Sequence, residues 1–279
     1  MSDRRSLLAN AQIAAAELEG FVDAPAYSTG EMRRAARPVV DLCKAPDAAR
    51  DRQLVYGERF RVLQVRDGWA FGAAARDGFV GYIKEGALGD DIEGTHRVSM
   101  PATHLYAAPD LKSPERLWLS FGSELRIVSA SGPFFETSEG DFVPKSHVRP
   151  LNAEFADPIT VAQLFFGVPY LWGGNSAAGI DCSGLVQAAC LAAGVQCPGD
   201  SDQQEAVLGE TLAPGVPTAR GDLYFWQGHV AMTVDGDTLI HANAGAMAVA
   251  YEPIVQAIAR IAEQGEGPVT RRARLRPGP

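Results

Sequence analysis

Gly179-Ile180-Asp181-Cys182-Ser183-Gly184-Leu185-Val186 is the stretch that decides how this chain reads. Leu185, Val186, Ala189, Cys190 and Ala193 recur at helical spacing. Gly194 stands where the residue after a helix C-cap belongs, and Asp181 where an N-cap belongs. The spacing predicts a helix over 182–193 that begins on a cysteine. A thiolate in a first helical turn is favoured by the free backbone N–H groups and the helix dipole, which lower a cysteine pKa from about 8.5 into the range of about 3.5–7.5. Cys190, on the apolar stripe, reads as a small core residue. Cys197, before Pro198, gives no further signal.

A nucleophilic cysteine needs a base. The chain has five histidines, and His229 and His241 follow Cys182. In Gly228-His229-Val230-Ala231-Met232-Thr233-Val234 the apolar bulk falls on alternate positions, so His229 shares a strand face with Ala231 and Thr233. Leu239-Ile240-His241-Ala242 offers a second inward imidazole, joined to the first strand by a turn at Asp235-Gly236-Asp237. Adjacent strands lie about 4.8 Å apart, close enough for the two rings to hydrogen-bond. His241 would then orient His229 as the third member of a triad does. Singly, a strand histidine is more often a packed or surface residue; it is the combination that points to chemistry.

Working outward, 159–167 reads as a helix ending at a glycine, followed by the glycine-rich Tyr170-Leu171-Trp172-Gly173-Gly174-Asn175. Strands are expected near 221–226, 229–234 and 238–242, a helix near 253–263 and a last strand near 269–276. Helices followed by strands, without βαβ alternation, make residues 155–279 an α+β domain. Upstream the texture is short β runs punctuated by turn residues. Leu42–Asp47 is echoed by Leu105–Asp110, Gly57–Val62 by Gly122–Ile127, and Asp77–Val80 by Gly140–Val143, in the same order. This predicts a duplication, two small all-β barrels over 37–90 and 95–150, resembling bacterial SH3-type domains. Residues 1–36 read as an N-terminal arm with one short helix. Arg271, Arg272, Arg274 and Arg276 are expected on a surface-facing edge strand.

The bulk composition narrows the classes. Hydrophobic residues make up 46% of the 279 and charged residues 21%, ordinary globular usage. A net charge of −9 argues against a nucleic-acid or anionic-membrane surface. No run approaches the roughly 18 apolar residues of a membrane helix. Polar Asn10, Gln12, Glu17 and Glu19 interrupt the apolar character after Leu7-Leu8, so a cytoplasmic location is expected over export. Four cysteines are too few for a disulfide scaffold and too widely spaced for a structural zinc site, and no metal or cofactor is implied.

The DCSGLV, GHVAM and IHAN motifs together resemble the NlpC/P60 cysteine peptidases, a papain-like α+β family, over residues 158–276. With the duplicated barrels ahead, the chain resembles the γ-D-glutamyl-L-diamino acid endopeptidases of the dipeptidyl-peptidase kind. The resemblance implies Cys182 as nucleophile, His229 as base, His241 as orienting group and Tyr170 beside the oxyanion. It also implies that Asp200 and Ser201 of Asp200-Ser201-Asp202-Gln203-Gln204 bind the free α-amine of a murein-derived peptide; the other reading of that run is a helix cap. Tyr82 of the first barrel is the aromatic expected to line the site, though a core tyrosine reads equally well. Trp172 is a pocket wall or core, Asp181 a cap or a substrate contact, and Ser183 a substrate contact. The expected reaction is cleavage of the γ-D-glutamyl–diamino acid bond in short peptides with a free N-terminal L-Ala. The alternatives are an amidase or acyltransferase built on the same Cys-His pair, and a wall-binding module without catalysis. A thiol-redox role lacks the C-x-x-C it would need.

Overall fold

Val40 and Leu42 are buried while Asp41 between them is exposed, the period of two that a half-buried strand requires. In this computed structural model, which describes residues 3–275, such strands build the first of two units, Met1–Leu151. One sheet runs in the order Arg50–Val55, Val39–Cys43, Val80–Lys84, Trp69–Ala74, Arg59–Arg66, Glu31–Ala35 and Leu88–Asp90. Its core gathers Leu42, Leu54, Phe60, Val62 and Ile83.

The second half of this unit repeats the pairing. Ala102–Tyr106 joins Glu115–Ser120 and Phe142–Pro144, as Val39–Cys43 joins Arg50–Val55 and Val80–Lys84. Register shifts fall at Leu42/Cys43 and again at Leu105/Tyr106. Gly57 and Gly122, matched in the sequence echo, both take positive φ, 83° and 82°, which glycine alone adopts without strain. Tyr56 of the first half packs into the second core with Val98, Leu105, Leu119 and Val143.

The expected arm over 1–36 needs correction. Glu31–Ala35 pairs antiparallel with both Arg59–Arg66 and Leu88–Asp90, as His96–Val98 pairs with Glu124–Leu125 and Val148–Pro150. Three charges in Glu31-Met32-Arg33-Arg34-Ala35 hide the strand. Arg34 is nonetheless buried, because its guanidinium meets Glu139 at 2.6 Å and lies over the Tyr56 ring.

The second unit, Asn152–Pro279, is α+β. It holds α1 (Pro158–Leu164), α2 (Cys182–Ala192), α3 (Ser201–Val207) and α4 (Ile254–Glu263). The sheet order is Glu210–Thr211, Arg271–Arg274, Asp222–Trp226, His229–Thr233, Thr238–Asn243 and Ala248–Pro253, with every neighbouring pair antiparallel. Helix α2 packs against α1 and against the His229–Thr233 and Thr238–Asn243 strands; α4 packs against Thr238–Asn243 and Ala248–Pro253.

The arginine-rich strand is not at an edge. Arg271–Arg274 lies between Asp222–Trp226 and the short Glu210–Thr211. It tolerates the interior because each arginine finds acceptors: Arg274 forks onto buried Asp222 at 2.7 and 2.8 Å, Arg272 reaches the Val216 carbonyl, and Arg271 the Leu208 and Gly209 carbonyls. Arg276 lies outside the described residues. Among the described residues no helix is long and apolar enough to cross a membrane.

Candidate active site

Helix α2 begins on Cys182 because Asp181 stops the chain in an extended conformation and caps it. The Asp181 Oδ1 accepts the Gly184 N–H at 2.6 Å, while Oδ2 accepts the Gly173 N–H at 2.9 Å. One carboxylate thus ties the glycine-rich loop to the first helical turn. Two glycines permit the approach. A Cβ on Gly184 would stand 2.4 Å from the Gly174 carbonyl oxygen, and one on Gly174 would stand 2.5 Å from that of Gly179. Cys182 itself is buried, in the first turn, where the helix dipole favours a thiolate.

The strand that starts on His229 runs along α2. His229 Nε2 lies 2.9 Å from His241 Nδ1, the contact that the alternation of the two strands implied. Both rings are buried. Burial, then the neighbouring His241 and Arg260, pushes the His229 imidazole down to about 3, so it rests neutral, the state in which a base works. Beyond His241 lie two residues that the sequence reading missed. His241 Nε2 is 2.9 Å from Glu252 Oε2, and Arg260 holds both Glu252 oxygens, Nε to Oε1 at 2.9 Å and Nη2 to Oε2 at 2.7 Å. Arg260, with help from His241, holds the Glu252 carboxyl down at about 2. The one signal available was the alternation of Ala248–Pro253, which carries Glu252 on the face of Leu239, its register partner, and so of His241.

Tyr170 sits on the same loop, in a bridge with Ile180 two residues before Cys182. Burial, with the Cys182 and Asp181 charges, pushes its phenol well above the usual range, so the hydroxyl stays a donor. The other expected contacts divide. Asp200 and Ser201 open α3, Asp200 at the N-cap position, and both are half-buried. Buried Gln204 fastens α3 to the nucleophile helix by donating to the carbonyls of Ser183 and Pro198 at 2.9 and 3.0 Å. Asp181 takes the capping role, and the Ser183 hydroxyl donates to it at 3.2 Å. Trp172 is 72% exposed, so it is not core. Tyr82 belongs to the first unit, where its ring meets Phe71 and its hydroxyl accepts from Asn10 at 3.2 Å. Cys43, Cys190 and Cys197 are buried and form no disulfide.

Residues 167–260 match the NlpC/P60 family, and residues 42–88 match the bacterial dipeptidyl-peptidase SH3 domain. A γ-D-glutamyl-L-lysine dipeptidyl-peptidase of Bacillus subtilis is 31% identical over 68% of this chain and 71% of its own length. The chain belongs to the NlpC/P60 family of cysteine peptidases. A Bacillus cereus protein of the same name is 28% identical over 56% of this chain, which spans about half of that relative (52%). The crystal structure of an NlpC/P60 family protein from Bacillus cereus shares the fold, with a TM-score of 0.73, 20% identity, and coverage of 88% of this chain and 99% of the other. An NlpC/P60 domain preceded by a bacterial SH3 domain is therefore the frame of this peptidase.

Proposed function

We propose that this peptidase hydrolyses the γ-D-glutamyl–diamino acid bond of short murein peptides carrying a free N-terminal L-Ala, releasing L-Ala-D-Glu. The observation that carries the reading is the buried His229–His241 pair on strands packed against a helix that begins on Cys182. In this reading His229 takes the proton of the Cys182 thiol, and the resulting thiolate attacks the γ-carbonyl. The tetrahedral oxyanion takes hydrogen bonds from the Cys182 backbone N–H and the Tyr170 hydroxyl. Protonated His229 hands its proton to the departing amine as the C–N bond breaks. Water, deprotonated by His229, then cleaves the thioester and frees the thiol. Asp200 and Ser201 receive the substrate ammonium, and Trp172 lines the approach. Two dipeptidyl-peptidase relatives named for γ-D-glutamyl-L-lysine support the bond type. We assign residues 95–150 as a second SH3-type domain, on the strength of the repeated strand pairing.

The test is mass spectrometry of L-Ala-γ-D-Glu-diaminopimelate with wild-type protein, Cys182→Ala and Asp200→Asn, beside an N-acetylated copy of the peptide. Release of L-Ala-D-Glu is expected from wild type and, with KM raised about tenfold or more, from Asp200→Asn, but not from Cys182→Ala, and the acetylated copy should be spared. Cleavage of both peptides removes the role given to Asp200 and Ser201. Cleavage of neither removes the reaction.

A further inference from the structure

The two buried rings do not end the polar chain. Arg260 on α4 has only donors to offer, and it spends Nε and Nη2 on the two oxygens of Glu252. An ionised carboxylate has only acceptors, so the His241 nitrogen facing it, Nε2, must bring the hydrogen. A neutral imidazole carries one N–H. With that hydrogen on Nε2, His241 Nδ1 is a bare lone pair, and the His229 Nε2 that lies 2.9 Å away must donate to it. His229 then has its single hydrogen on Nε2, and Nδ1 is left open to take a proton.

We propose that Glu252 and Arg260 are positioning residues that fix the tautomers of His241 and His229, leaving Nδ1 of His229 as the proton acceptor of the reaction. The inference rests on the reading of His229 as the base. Each partner has a distinct part. Glu252 aligns an acceptor on His241 Nε2. Arg260 cancels the charge of that acceptor, and a charged ring is costly to bury in a dry site. A carboxylate without its guanidinium would favour a doubly protonated His241 instead. That ring would donate from Nδ1 as well, force His229 Nε2 to accept, and move the His229 hydrogen onto Nδ1, where it blocks the base. When His229 takes up a proton on Nδ1 in the proposed reaction, its Nε2–H bond to His241 is kept, and nothing in the chain has to turn. The charged groups acting on His229 from neighbouring elements are Glu252 on its strand and Arg260 on α4; the nucleophile, Cys182, stands on α2.

The experiment is a long-range 1H–15N correlation spectrum of the full chain with ring-15N histidine at neutral pH. The five histidines are assigned through His229→Asn and His241→Asn. Wild type is expected to show His229 and His241 neutral, each with its hydrogen on Nε2. A hydrogen on His229 Nδ1, or a doubly protonated His241, would overturn the proposal. The wild-type spectrum needs no variant to fold. In Glu252→Gln and Arg260→Gln the His229 hydrogen is expected to move to Nδ1 in a measurable fraction. kcat should fall about a hundredfold or more while KM stays within about threefold. Loss of activity with unchanged tautomers would reduce the pair to a structural role and sink the inference. No substrate is present in the spectrum, so the two readings fail separately. Expected tautomers in a protein that cleaves no peptide remove the proposed reaction, whereas peptide cleavage with the other tautomers removes this inference alone.

Discussion

The Asp181 carboxylate and the Gly184 N–H meet at 2.6 Å, and the second oxygen of the same carboxylate takes the N–H of Gly173. The cap of the nucleophile helix is thereby also the clasp of the loop that carries Tyr170. Replacing Asp181 by Ala removes the cap and leaves a loop N–H without its acceptor. A missing cap costs about 1 kcal/mol and an orphaned buried donor about 1–3. Asp181→Ala should therefore lose about 2–4 kcal/mol in urea unfolding, and a loss under 1 would mean that water replaces both contacts.

Gly184→Ala reverses an ordinary rule. In a helix interior the change usually stabilises, by about 1 kcal/mol. Here the new methyl group would sit 2.4 Å from the Gly174 carbonyl oxygen, which is backbone and cannot swing away. The variant should be destabilised by about 1–3 kcal/mol, with peptide cleavage impaired as the loop moves. A more stable Gly184→Ala would show that the loop yields freely.

His229 makes the second unit acid-sensitive. Its buried imidazole binds a proton only near pH 3, whereas in the unfolded chain it does so near 6.5. Between those values the unfolded state holds more protons, so stability rises with pH there. The contribution is complete above 6.5 and is lost as pH falls toward 3. It amounts to several kcal/mol, on the order of 5, at about 1.4 kcal/mol per pH unit over the roughly 3.5 units between those values. Glu252, lowered to about 2 from 4.5, adds the same sign at lower pH. Melting curves from pH 7 to 4 should show a falling Tm in wild type and a flatter slope in His229→Gln; equal slopes would show that His229 titrates normally.

Glu124 in the first unit carries the opposite sign. Burial, then the neighbouring Glu58, raises its carboxyl to about 7 from 4.5. The folded state keeps this proton after the unfolded chain has released it, so its contribution is full below 4.5 and is lost as pH rises to 7. Glu124→Gln should stabilise the protein at pH 8 by about 1–2 kcal/mol and leave it unchanged at pH 4. The same gain at both values would locate the effect in packing rather than in charge.

The sequence by itself determined what is local. A capped helix beginning on Cys182, alternating strands that put His229 and His241 on one face, and paired strands with echoing turns all follow from spacing within a few residues. Those signals are periodicities and caps, which the chain writes where they act. Only the tertiary structure decided where charge is allowed inside. Arg34 reads as a surface arginine until Glu139, far along the chain, neutralises it. Arg271–Arg274 reads as an edge until Asp222 and the carbonyls of a distant loop receive its guanidinium groups. Glu252 and Arg260 carry no motif of their own, and only sheet register and the packing of α4 bring them onto His241. Burying a charge depends on a partner whose position is set by the whole fold, and no local pattern records that partner.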